Sequence, residues 1–236
     1  MTGLVNYLRR TFLVLAAVFT VIPAVYAVPA ERFNGLFPER FQLDTVEIAG
    51  QSMGLISVVP FIDVDFTSAV FPFPKFTMGQ TNYRIYIIDK ETDERCVWFL
   101  GTTLDSWTLA VPRYIWNLPW HAGKVNFDCR LNKTTGLYDK YTMQTQSKWA
   151  EANVELRQEE NQAFDFPGFP DTESALVYLT HPLAGFYHRR DGKLGTYRVW
   201  HKELAVKPAK LVAAHFKLLS DLGLVLEEEQ SRPYSV

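Results

Sequence analysis

The chain has 236 residues, 47% of them hydrophobic and 21% charged, which excludes a disordered chain and suits one large β-rich domain. A formal net charge of −2 gives nucleic-acid phosphates no basic excess to bind, and two cysteines exclude a disulfide scaffold or a four-cysteine zinc site. Aromatic residues reach 14%, as in a sheet-rich protein with an apolar cavity.

Arg9 and Arg10 precede an uncharged stretch, residues 11–28, that reads in three ways. A secretory signal would use the arginines as its basic start and be cut after Ala27, where Val25, Tyr26 and Ala27 approximate a small-x-small site. A membrane helix would span roughly 27 Å at ~1.5 Å per residue, which is marginal. A buried strand fits the β-branched and aromatic residues of 18–28, with Pro23 weakening the helix.

Residues 29–37 predict a short helix with Phe33, Leu36 and Phe37 on one face, stopped by Pro38. Residues 41–49 alternate as a strand. A turn at Gly50 and Gln51 leads into 53–62, apolar enough for a central strand. Two prolines among aromatics make 71–76 a loop. Residues 81–88 and 95–102 form a hairpin about the charged turn 89–94. Asp105 is the predicted N-cap of a helix over 106–116, bent at Pro112.

Residues 120–131, 137–147 and 153–158 read as successive antiparallel strands, with a turn at 132–136. Residues 162–171 form a loop, and Asp171 or Thr172 caps a helix through Thr180. A further strand covers 196–201. Pro208 opens the clearest predicted helix, with Leu211, Val212, Phe216 and Leu219 on one face and Gly223 as its C-cap. A solvated acidic run, 227–230, precedes a strand-like end at 232–236. With no repeat, linker or composition shift, this is one α+β domain.

No G-x-S-x-G, P-loop, G-x-G-x-x-G or H-E-x-x-H motif is present. The histidines, 121, 181, 188, 201 and 215, are scattered, and each by itself reads as a surface or hydrogen-bonded imidazole. Cys96 and Cys129 fall on different strands and read as buried thiols. Residues 107–124, WTLAVPRYIWNLPWHAGK, are the most informative stretch. Arg113 there is either a carboxylate partner at a pocket mouth or a surface charge beside core residues Ile115, Trp116 and Trp120.

The order of segments resembles the acetoacetate decarboxylase-like superfamily and, more closely, its branch of uncharacterised YqjF-like proteins. The matching segments are 28–38 (VPAERFNGLFP), 41–44 (FQLD), 59–61 (VPF), 81–87 (TNYRIYI), 113–124 (RYIWNLPWHAGK) and 197–201 (YRVWH). The resemblance runs from about residue 13 to the C-terminus. It implies an N-terminal extension over 1–12 and a domain over 13–236, an antiparallel sheet closed or nearly closed into a β-barrel with flanking helices. Residues 19–28 would then be a barrel strand that is retained. That favours a cytoplasmic protein, with anchoring or export through residues 9–28 as the alternatives.

Acetoacetate decarboxylases form a Schiff base on a lysine activated by a neighbouring cation. Aligned on Arg113, Ile115, Trp116 and Pro119, their two lysine positions are Trp120 and His121 here. Lys124 shares the strand face of position 120 but lies about 13 Å further along. Tyr83 stands where the family has an acidic residue. The resemblance therefore implies a small-molecule-binding protein without the Schiff-base lysine, without cofactor or metal, holding a largely apolar ligand with a carboxylate or carbonyl. Ligand contacts would come from Tyr83, Arg84, Arg113, Trp116 and Trp120. A lysine-independent enzyme using His121 or His201 as acid or base, and a membrane-tethered accessory protein, are the rival readings. Arg84 could instead pair with Asp63 or Asp65 and brace the sheet. Homo-oligomerisation stays open.

Overall fold

In the computed structural model, which describes residues 14–19, 23–68, 76–160, 166–199 and 209–231, strands dominate. They are β1 (Val14–Phe19), β2 (Ala24–Pro29), β3 (Phe41–Leu43), β4 (Thr45–Ile48), β5 (Gln51–Ser68), β6 (Phe76–Asp89) and β7 (Glu94–Leu104). There follow β8 (Trp120–Ala122), β9 (Lys124–Leu131), β10 (Tyr138–Gln146), β11 (Ala152–Arg157), β12 (Ala184–His188), β13 (Leu194–Arg198) and β14 (Lys210–Phe216). Three short α-helices, α1 (Ala110–Ile115), α2 (Thr172–Thr180) and α3 (Lys217–Asp221), and two 3-10 turns, Ala30–Phe33 and Trp107–Leu109, complete the described elements.

The larger sheet runs β1-β5-β6-β7-β12-β13, with β2 and β4 also on β5, β3 on β6 and β8 on β7. The smaller sheet is β14-β11-β10-β9. Together they make a mostly-sheet α+β domain. The described pairings of the larger sheet form an open path from β1 to β13.

The apolar run in β5 makes it the spine of the larger sheet. Its antiparallel register with β6 sets Ile56 against Ile85 and Val58 against Tyr83. These side chains face the smaller sheet and close a core with Tyr141, Met143, Val154, Leu156 and Phe216. The alternate residues point the other way, where Val25, Leu55, Tyr86 and Val97 pack against Tyr178 and Leu179 of α2. Burial on both faces explains why β5 and β6 read as apolar runs rather than clean alternations.

The single strand expected over 19–28 is found as β2, which starts only at Ala24, while β1 is a separate strand before it, and both run antiparallel to β5. Among the described residues no helix is long and apolar enough to cross a membrane. Residues 1–12 and the loop at 71–75 lie outside the described residues, as do 200–208 and 232–236. The capping expectation at Asp171 holds, its Oδ1 accepting from the Ser174 N–H at 2.7 Å.

Several expectations need correction. The helix expected from Pro208 is a strand, β14, followed by the short α3. Its apolar spacing fits a helix, but pairing with the open edge of β11 satisfies the backbone groups on one side of the strand, and Val212 is left 43% exposed. The helix expected over 106–116 is a 3-10 turn (Trp107–Leu109) running into α1. Its cap is Ser106, which accepts from the Thr108 N–H, while Asp105 accepts instead from the Gly79 N–H at 2.7 Å. The strand expected over 120–131 splits at Gly123 into β8 and β9, which belong to different sheets. A Cβ at Gly123 would stand 2.4 Å from Thr103 Cγ2 and 2.8 Å from the Gln146 carbonyl oxygen, so only glycine passes there. The acidic run 227–230 is not wholly solvated: Glu229 binds Arg32, and Gln230 is 1% exposed. β12, which runs parallel to β7, has no counterpart among the expected strands.

Candidate functional site

Strand alternation places Ser57 and Asp63 of β5 and Gln80, Asn82 and Arg84 of β6 on the face turned away from the smaller sheet. Ser57 lies opposite Arg84 and Val59 opposite Asn82. These five polar side chains thus form a stripe along one face of the sheet. The Asp63 carboxylate accepts from Gln80 Nε2, and burial pushes it up to about 7 against the pull of that hydrogen bond. Asn82 Oδ1 is buried without a partner among the described residues. Arg84 Nε donates to Ser57 Oγ at 3.3 Å. Burial raises the Tyr197 hydroxyl to about 12, and the nearby Arg84 charge draws it back down.

Aromatic side chains border this stripe. Phe99 of β7 lies opposite Arg84 and meets Tyr197 edge-on at 5.7 Å. Leu118, Tyr187, Trp116 and Trp120 pack with it. Trp120 reaches the same face through a row that crosses three strands, Asn82, Thr102 and Trp120. Arg84, Trp116 and Trp120 are therefore brought to one side of the sheet.

Tyr83 and His121 belong to the opposite face. Tyr83 is 0% exposed, edge-on to Trp149 at 5.6 Å and to Phe216 at 6.5 Å. Its hydroxyl is buried without a partner among the described residues, and burial raises its pKa. Gly101, opposite Tyr83 at φ 150°, makes room for Trp149, since a Cβ there would stand 2.9 Å from that ring. His121 stacks on Trp149 with centroids 4.0 Å apart and planes 4° apart. Its Nδ1 lies 3.4 Å from Arg113 Nη1, which also donates to the Trp120 carbonyl. Burial, then the charges of Arg113 and Arg190, push His121 down to about 4, away from the neutral range suited to proton transfer. His201, the other expected acid or base, lies outside the described residues.

The anticipated Arg84–Asp63 ion pair is not formed, since Gln80 partners Asp63 and Ser57 partners Arg84. Asp65 lies where side chains are outside the described set. Gln80 and Asn82 were missing from the sequence-derived contacts, although polar residues at 80, 82 and 84 in an apolar strand are a readable signal. Every described lysine is exposed, Lys124 among them at the start of β9. Among the described residues no three His, Cys, Asp or Glu side chains cluster as metal ligands. An open hollow of about 340 Å³ lies elsewhere, beside Tyr26, Val28, Val225, Glu228 and Glu229.

Residues 20–235 match the family profile DUF2071, uncharacterized conserved protein. No curated protein sequence matches the chain. Among solved structures, the chain is similar to an acetoacetate decarboxylase from Legionella pneumophila, with 12% identity and a TM-score of 0.51 over 91% of this chain and 81% of that one. It is also similar to an acetoacetate decarboxylase-like enzyme from Sphingomonas wittichii RW1, with 12% identity and a TM-score of 0.50 over 77% of this chain and 67% of that one. At such identity the likeness is one of fold. The profile match and the shared arrangement of strands place this chain in the DUF2071 family, on an acetoacetate decarboxylase-like fold.

Proposed function

We propose that this protein binds a small, largely apolar molecule with a carboxylate or carbonyl group on the Asp63–Arg84 face, the larger sheet curving round it as a barrel wall. The supporting observation is the polar stripe itself, with Asn82 Oδ1 unpartnered among the described residues. A buried acceptor left without a donor costs about 1–3 kcal/mol, which a ligand N–H or O–H would recover. Arg84 offers a guanidinium fork to a carboxylate, and the Asn82 amide nitrogen can donate to a carbonyl. Phe99, Trp116, Trp120 and Tyr197 supply apolar surface for the remainder.

The binding requires no Schiff base. The resemblance aligns the superfamily's lysine positions with Trp120 and His121, and the described lysines, all exposed, lack the desolvation that makes an amine nucleophilic at neutral pH. A second reading, acid–base chemistry on the bound carbonyl compound, is favoured by Asp63. A carboxyl near 7 can both hold and release a proton at neutral pH.

Calorimetric titration of the full chain with short-chain 2-oxo acids, and with their methyl esters, tests the proposal. The acids should bind, and Arg84→Gln should weaken them at least about tenfold while changing the esters little, as expected for loss of one charge-assisted contact. Borohydride added to the complex should leave the protein mass unchanged. Equal affinity of Arg84→Gln for the acids, or no binding at all, would reject this face as the ligand site. A reduced covalent adduct would reject the lysine-free reading.

A further inference from the structure

Away from that stripe, at the corner where α1 approaches β8, two arginines converge with no carboxylate partner among the described residues. Arg113, in the last turn of α1, is held by the Trp120 carbonyl and reaches the His121 ring. Arg190 follows β12, and its backbone N–H donates to the Asn117 carbonyl at 3.4 Å, which docks this turn against the end of α1. Asn117 sits at φ 57°, the left-handed conformation that turns the chain back after α1. The two guanidinium carbons lie 5.9 and 4.9 Å from the centroid of one ring, Tyr114.

The acid nearest in sequence is already engaged. Asp191 takes two hydrogen bonds from Arg189, at 2.9 and 2.7 Å. Among the described residues neither Arg113 nor Arg190 has a carboxylate within ion-pair distance, in contrast to Arg32, Arg40, Arg95, Arg189 and Arg198. An arginine N–H can only donate, so the Arg113 contact makes His121 Nδ1 the acceptor and leaves the ring proton on Nε2. The corner thus presents two cations without a carboxylate partner among the described residues, and a neutral imidazole.

We propose that Arg113, Arg190 and His121 form a binding site for the phosphate group of a ligand, separate from the Arg84 face. Paired guanidinium groups recognise phosphate oxygens through several charge-assisted hydrogen bonds, and Arg113 is already oriented by its bond to the Trp120 carbonyl. The phosphate can come from a soluble ester or from a lipid headgroup. The second source is raised by Trp107, Tyr114 and Ile115, which stand 83%, 65% and 58% exposed on this same segment, as interfacial residues do.

The test is NMR titration of the His121 ring in the full chain, with inorganic phosphate as probe and sodium chloride matched for ionic strength as control. Bound phosphate offsets the two positive charges, so His121 should titrate at least one pH unit higher at saturation, and chloride should not reproduce this. Arg190→Gln, at an exposed position, should weaken phosphate binding at least tenfold. In a parallel arm, phosphatidylglycerol vesicles are compared with phosphatidylcholine vesicles by co-sedimentation. Phosphate binding lost in Arg190→Gln supports the site with a soluble ligand. Selective sedimentation with phosphatidylglycerol, also lost in Arg190→Gln, supports it with a headgroup. Response to neither probe, or binding that survives the substitution, overturns it.

Discussion

A carboxyl group that is 4% exposed and has one neutral partner, as Asp63 has in Gln80, keeps its proton to a higher pH than one in water. Asp89 is the useful contrast. It is buried as well, but Arg40 donates to both of its oxygens and holds it below the usual carboxylate range. The two have opposite linkage. Asp89 stabilises the fold above its unfolded-state value, and that stability is lost as pH falls through its lowered value. Asp63, raised to about 7, favours the fold most below its ordinary value near 3.8, and this advantage is lost as pH rises to about 7. The difference is on the order of 4 kcal/mol. Urea unfolding should therefore show the protein less stable at pH 8 than at pH 5, and Asp63→Asn should remove most of that fall. An unchanged difference in the variant would mean that the carboxyl is not the titrating group.

Gln230 does for the C-terminal elements what no backbone ladder does. Its Oε1 accepts from the Phe216 N–H at 2.5 Å, and its Nε2 donates to Ser220 Oγ, the Phe216 carbonyl and the Val225 carbonyl at 2.7, 3.2 and 3.3 Å. Its own carbonyl accepts from Tyr26 of β2 at 2.9 Å. The side chain thereby ties together the end of β14, α3 and the following turn, and the main-chain carbonyl links them to the larger sheet. Gln230→Leu keeps the volume, spares the Tyr26 contact and removes the side-chain hydrogen bonds, which should cost about 2–4 kcal/mol. That loss should appear as a lower urea midpoint with little change in slope. A shift below about 0.5 kcal/mol would show the segment to be an independent appendage.

The same segment shows where element reading from sequence stops. β5, β6, the turn at 89–94 and the α2 cap are legible because local chemistry and tertiary use agree there. Apolar runs are buried on both faces, charges sit at the hairpin tip, and Asp171 meets a free N–H. β14 is not legible, since Leu211, Val212, Phe216 and Leu219 suit helical spacing and the decisive partner, β11, lies over fifty positions away. Gly123 marks a break only because Thr103 and Gln146 crowd it from other strands. For the candidate site, residues 81–87 and 113–121 were legible as segments through the family resemblance. Which face each side chain takes was not. The pairing of Thr102 with Trp120 and of Thr103 with His121 sends adjacent residues to opposite sides, so Trp120 joins Arg84 while His121 joins Trp149.

At the scale of the whole molecule, β2 links both cores. Ala24, Tyr26 and Val28 face the smaller sheet, while Val25 packs into the cluster with Tyr86, Val97 and α2. It also pairs with β5 along six positions, from Ala24 against Val58 to Pro29 against Met53. Burial of those side chains contributes on the order of 5–8 kcal/mol, comparable with the entire net stability of a typical domain. Removing the strand would also expose the hydrogen-bonding edge of β5, the most heavily paired strand of the larger sheet. The small-x-small pattern ending at Ala27 therefore falls inside a structural strand, and cutting there should be incompatible with this fold. Two truncations separate the possibilities. A chain of residues 13–236 retains β1 and β2 and should melt in one cooperative transition followed by far-UV circular dichroism. A chain of residues 28–236 should show no such transition and should aggregate through the bared β5 edge. Equal melting of the two would remove β2 from the core and reopen the cleavage reading.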